Sequence, residues 1–285
     1  MVSLRTNRWR LRQSAAAAAG VLILLGFGLT AAVVIGYVKH GASLADSAAD
    51  PALKSYVASL RDGAPFDLEQ ANRTIYLTTT HSDDRRISVT ENWLQWSLGK
   101  LYPPLARTQN AERLMAGSLT DCSERSQILK SIAESAGLRC RFVGLAGHVV
   151  LEVETGSGWR VADPDYGVVY PIGIESLQEP SAEPLIRDAL VAAGHQEPQV
   201  AMYLEIVQSA EDNVVMPVGS PLSPRLAMAE RWCERLALPL PLGLLLTGLV
   251  LARAVSFVRL RRGIWQWVGA VNQAACESGP QPRRA

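Results

Sequence analysis

The chain has 285 residues, 28 Lys+Arg against 27 Asp+Glu, and 48% hydrophobic residues, which excludes a low-hydrophobicity disordered chain and a strongly basic nucleic-acid binder. Its formal charge of +1 and 6% aromatic content offer neither a field that steers polyanions nor a broad base- or sugar-stacking surface. The cysteines Cys122, Cys140, Cys233 and Cys276 include no C-x-x-C spacing, so neither a disulfide scaffold nor a zinc ribbon is written here.

Residues 1–14 form a basic tail with Arg5, Arg8, Arg10 and Arg12. From Ala15 to Val38 no charged residue occurs, and at about 1.5 Å per residue this run gives about 36 Å of helix, more than the roughly 30 Å hydrocarbon core requires. A cleaved signal peptide, with Ser43 and Ala45 before the cut, is the competing reading; its apolar region would run only about 7 to 15 residues. A second apolar run, Leu236 to Ala252, becomes a span over 236–258 if Arg253 snorkels, and Pro239 and Pro241 sit at its start, where a helix tolerates them. Lys and Arg are retained on the cytoplasmic side. The arginines before the first span, and Arg253, Arg259, Arg261 and Arg262 around and beyond the end of the second, therefore place both termini in the cytoplasm. The expectation is a two-pass protein of a bacterial cytoplasmic (inner) membrane, with everything between the spans periplasmic or extracellular. Over 259–285, Leu260, Ile264, Trp267 and Val271 recur at helical spacing, the pattern of an interfacial amphipathic helix followed by a tail.

Residues 39–87 read as linker and stalk. Within them, Pro51 to Asp62 is a helix behind Asp50, Thr74 to Thr79 is a β-prone run, and a polar loop carries His81, Asp83 and Asp84. The outward-facing domain is assigned to 88–218. Ser88-x-x-Glu91 is a capping box for a helix through Trp93, Gln95 and Trp96 that stops before Pro103, and a further helix runs from Thr108 to Ala116. Pro184 to Ala193 is a helix closed by Gly194, and 219–235 is a juxtamembrane helix leading into the second span.

The informative stretch begins at Asp121. Asp121-x-x-Glu124 caps a helix whose first turn holds Cys122, and a helix N-terminus favours a thiolate. Ile128, Leu129, Ile132 and Ala133 form its apolar face and Gly137 ends it. Leu138 to Gly144, His148 to Glu154 and Trp159 to Ala162 alternate as strands, the last two joined by Thr155-Gly156-Ser157-Gly158 as a hairpin. A turn centred between Gly156 and Ser157 makes His148 and Asp163 diagonal neighbours on one face, and a shift by one residue on each side makes them directly opposite. Thiol, imidazole and carboxylate then stand as nucleophile, base and orienting group. Cys140 reads as a small buried strand residue. A disulfide from it to Cys122 would have to bridge the roughly 20 Å of a 14-residue helix. His40, His81 and His195 show no partner in the sequence.

Cys122, then Ile128-Leu129, Gly137-Leu138-x-x-Arg141-x-Val143-Gly144, His148-x-x-x-Glu152-Val153 and Trp159-x-x-x-Asp163-Pro164, form an ordered set that resembles the core of the transglutaminase-like superfamily, papain-like in fold, over Ala111 to Pro171. Thr120, Ser126 and Val150 stand where that family commonly has other residues. The resemblance implies an α+β domain over 88–218, a Cys-bearing helix on an antiparallel sheet, and the two apolar runs place it between two transmembrane helices. It implies Cys122 as nucleophile, His148 as base and Asp163 as third member; no cofactor or metal is expected, and calcium, which some members of that family use, has no recognisable site in this sequence.

The expected activity is that of a membrane-anchored cysteine hydrolase or acyltransferase working through a thioester on a peptide, protein or envelope-component substrate. The Cys122 N–H is the first oxyanion donor and Trp93, Gln95 and Trp96 are candidates for the second. The alternative is a catalytically silent scaffold of the same fold that binds envelope or exopolysaccharide-assembly partners.

Overall fold

The structure is a computed structural model that describes residues 3–41, 50–209, 213–254 and 256–257. The amphipathic segment expected over 259–285 and the small residues Ser43 and Ala45 lie outside the described residues. The chain divides into two compact units, one formed by Met1–Val34 with Arg235–Ala285 and the other by Ile35–Glu234.

In the first unit, two stretches, Ala17–Ile35 and the end of Pro224–Ala254, belong to helices long and apolar enough to cross a membrane. The first lies in α1 (Ser3–Gly41), which already includes most of the basic tail. The second lies in the 31-residue stretch Pro224–Ala254, in which a two-residue turn at 237–238 separates the preceding helix from α11, helical over 239–254. Apolar helices pack closely where small residues let their backbones approach. Gly26 of α1 is such a point: a Cβ there would lie 2.8 Å from both Leu245 N and Pro241 O. Gly248 is the other, where a Cβ would meet Ile23 N at 3.0 Å and Ala19 O at 3.1 Å. These contacts run in opposite chain directions, so α1 and α11 are antiparallel.

The second unit is built on a five-stranded antiparallel sheet, order β6-β5-β4-β3-β7, from β3 (Arg139–Leu145), β4 (His148–Thr155), β5 (Gly158–Asp163), β6 (Val168–Tyr170) and β7 (Val214–Val215). Strand alternation divides its side chains between two cores. One face carries Cys140, Phe142, Leu151, Val153 and Ala162, packed under α2 (Pro51–Arg61), α3 (Leu68–Thr78), α5 (Ala111–Met115) and α6 (Cys122–Ser135). The other carries Val143, Leu145, Val150, Val161 and Tyr170 under α7 (Ile174–Leu177), α8 (Glu183–Ala192) and α9 (Glu197–Gln208). Ile128 and Leu129 of α6 are fully buried, each contributing about 1.5–3 kcal/mol of apolar burial.

Several expectations change. The run Thr74–Thr79 is helical through Thr78 rather than extended. Asp67 caps α3 by accepting Gln70 N at 3.0 Å, and Leu68, Ala71 and Ile75 bury one helical face, so a 3.6-residue period overrides β propensity. The strand that follows, β1 (Thr80–His81), pairs in parallel with β2 (Leu119–Thr120). The segment read as linker and stalk contributes α2 and α3 to the core itself. The helix expected from Thr108 starts at Ala111 behind an Asn110 cap, because the Thr108 hydroxyl donates to Glu230 of α10 (Pro224–Leu236).

Candidate active site

Three elements bring the thiol, imidazole and carboxylate together. The N-terminus of α6 carries a reciprocal capping box: Asp121 Oδ1 accepts Glu124 N at 2.8 Å and Glu124 Oε2 accepts Asp121 N at 3.1 Å. Arg107 pairs with the remaining oxygen of Asp121. Cys122 is thus the first residue of α6, half-buried and in no disulfide. Ser126 Oγ donates to Val149 O at 2.9 Å, which fixes the first turn of α6 over the first residues of β4.

The hairpin supplies the other two groups. Thr155 pairs with Gly158 and Leu151 with Ala162, so the turn centres between Gly156 and Ser157 and His148 and Asp163 are diagonal neighbours. The turn that starts β4 uses Ala146 and Gly147 at φ 43° and 95°, the two positive angles of a tight hairpin turn. His148 Nε2–H donates to Asp163 Oδ2 at 2.7 Å. Asp163 Oδ1 accepts Asp165 N at 2.9 Å and Tyr166 N at 3.1 Å. Asn72 Nδ2 on α3 donates to Asp163 O at 3.2 Å and to Val168 O at 3.1 Å, so the backbone under the acid is clamped too.

The electrostatics follow from this geometry. Burial opposes charge on His148, but the carboxylate of Asp163 outweighs it, and Cys122 adds a further charge and hydrogen-bond contribution, pushing the imidazole up to about 11. Burial likewise opposes charge on Asp163, and the His148 ring with the two backbone N–H donors overcomes it and lowers the carboxyl below its ordinary value. The rings of Tyr166 and Tyr203 stand edge-on to His148, with centroids 5.5 and 6.1 Å away. Burial, then Asp163 and Asp165, push the Tyr166 phenol up to about 12, so this neighbour does not compete for the proton near neutrality. Cys140 is a different kind of thiol: burial pushes it up to about 12, which makes it inert packing.

Cys122 and His148 line one cavity of about 950 Å³. Its other walls bring residues that the sequence leaves unconnected. His81 Nδ1–H donates to Asp165 Oδ1 at 2.8 Å, and His195 Nε2–H donates to Tyr166 O at 2.7 Å. Arg125, buried on α6, donates to Asp165 Oδ1 at 2.9 Å, to Thr79 O at 2.6 Å and to Thr120 Oγ1 at 3.3 Å. Met202 and Ile206 of α9 supply apolar wall. Trp93, Gln95 and Trp96 do not line the cavity. Within α4 (Val89–Leu101), Asn92 leaves helical angles and its side chain caps Leu94 N and Gln95 N. The restarted helix turns Gln95 onto Arg107 O at 2.9 Å and leaves Trp96 exposed beside Lys100. Among the described residues no group of three or more His, Cys, Asp and Glu side chains could hold a metal ion.

Chemically, the arrangement can move a proton from sulfur to a ring whose orientation is fixed from behind, next to helix N–H groups that favour an anion. No protein-family model matches the chain, and no curated protein matches it.

Proposed function

We propose that this protein is a cysteine hydrolase or acyltransferase of the transglutaminase-like type, with a papain-like core. The observation that carries the reading is the single imidazole that donates to Asp163 while the Cys122 thiol acts on the same ring at the cavity wall. Nε2 is committed to Asp163, so Nδ1 is the nitrogen that holds the proton drawn from Cys122, and the raised imidazole keeps it there near neutrality. The thiolate attacks the carbonyl carbon of an amide or ester, and negative charge builds on its oxygen beside the Cys122 N–H. His148 returns the proton to the leaving amine or alcohol as the carbon–heteroatom bond breaks, leaving a thioester. Water then attacks to give a carboxylic acid, or an amine attacks to give a new amide; either releases the Cys122 thiol.

The antiparallel apolar helices, with arginines at their outer ends, support two-pass anchoring in a bacterial inner membrane with both termini cytoplasmic. On that reading the cavity faces the periplasm, and the substrate is a peptide, protein or other envelope component. The test uses the full chain in detergent micelles with p-nitrophenyl acetate as acyl donor, acid-quenched and mapped by peptide mass spectrometry. An acetyl group on Cys122 that is absent from Cys122→Ala and scarce in His148→Ala supports the reading. An unmodified Cys122, with the chain folded, marks a silent scaffold instead.

A further inference from the structure

We propose that His81 is a further catalytic group, whose Nε2–H donates to the carbonyl oxygen under attack from the side opposite the Cys122 N–H. The inference rests on the cysteine reading above and extends it to a residue that the sequence leaves without a role.

Placement comes from the strand pair that precedes the nucleophile. Parallel pairing sets His81 opposite Thr120, two residues before Cys122, and Thr80 N→Ser118 O at 2.7 Å and Ser82 N→Thr120 O at 2.9 Å fasten the two strands. The His81 side chain is half exposed and lines the same cavity as Cys122. Its ring is also aimed. Nδ1–H is held by Asp165, and Asp165 is held in turn by Arg125. Asp165 thus orients His81 much as Asp163 orients His148. With Nδ1 held on Asp165, Nε2 is the ring nitrogen left to donate to substrate.

Several donors around the cavity are already engaged. Ser123 Oγ donates to Asp121, Thr79 Oγ1 to Ile75 O, His195 Nε2 to Tyr166 O, and Arg125 to Asp165, Thr79 and Thr120. Asp83, Asp121 and Asp165 line the same cavity, and a ring N–H aimed at the carbonyl oxygen offsets their repulsion of a developing oxyanion.

The experiment compares two probes on the full chain in detergent micelles at pH 6. Iodoacetamide alkylates sulfur by displacement at a saturated carbon and forms no oxyanion; p-nitrophenyl acetate must pass through one. His81→Ala is expected to keep the alkylation rate of the native chain and to lose about 10²–10³-fold in acylation of Cys122, with His81→Gln, which retains an N–H donor, recovering part of the loss. Unchanged acylation in His81→Ala overturns the proposal, and so does a parallel fall in both rates, which would place His81 on the thiol instead of the oxygen. Native Cys122 whose alkylation ignores His148→Ala removes the underlying cysteine reading, a failure visible before His81 is altered.

Discussion

Across the β4–β5 hairpin, His148 Nε2–H donates to Asp163 Oδ2 at 2.7 Å, with the acid fully buried. The pair is diagonal, not directly opposite, and its far side is closed by the backbone N–H groups of Asp165 and Tyr166. A carboxylate so enclosed has one partner it can charge, the ring.

The pH dependence of stability follows. His148 is raised in the folded chain, so its contribution is fully present below the ordinary imidazole value of about 6.5 and is lost as pH rises through the folded value. Asp163 is lowered, so its contribution is present above the ordinary carboxyl value of about 3.9 and is lost as pH falls through the folded one. Thermal unfolding should show the native chain losing the His148 increment progressively as pH rises above about 6.5, while the Asp163 increment holds down to mildly acid pH. In Asp163→Asn the ring loses its counter-charge, so the alkaline decline should be smaller and finish nearer neutrality, checked by the His148 ring signals in NMR. Identical titration of His148 in both chains would contradict the assignment.

Arg125 ties the cavity floor together through Asp165, Thr79 and Thr120. Arg125→Met leaves the largely buried Asp165 carboxylate with only the His81 ring and takes two further hydrogen bonds from the floor, and should cost about 3–5 kcal/mol. Arg125→Lys should not restore it, because an ammonium cannot reproduce the planar fork. Denaturant unfolding measures both variants, and a Lys variant as stable as the native chain would show that charge alone suffices.

In the apolar unit, Gly26 meets backbone atoms of the second helix, while a Cβ on Gly28 would meet nothing within 4 Å. Gly26→Leu should lower the thermal midpoint in detergent by an overpacking cost of about 1–3 kcal/mol, and Gly28→Leu should leave it near the native value. Equal effects would mean that the helices do not meet at Gly26.

Much of the local structure near Cys122 was legible in sequence because its signals are short-range. Asp121 and Glu124 announce the α6 cap, and the alternation on either side of Gly156-Ser157 announces the hairpin, leaving two registers of which the structure takes the diagonal one. Where two local signals compete, reading fails: Thr74–Thr79 is β-prone by composition, but the Asp67 cap and the buried face of α3 decide it. Asn92 is a second such case, since a cap inside α4 re-aims Gln95 away from the cavity. The helix α9 carries Val200, Tyr203, Leu204 and Val207 at helical spacing behind Pro198, a pattern present in the sequence that shows a buried helix face but not that Tyr203 meets His148. The pairing of His81 with Asp165 joins residues 84 apart, and no local pattern encodes it.

The most direct test of the central claim is the rate at which iodoacetamide alkylates Cys122 near neutral pH, followed by peptide mass spectrometry in the native chain and in His148→Ala. Proton transfer from sulfur to the ring predicts rapid alkylation of the native chain, slowed about 10²-fold or more in the variant. A sluggish thiol with the same rate in both would contradict it.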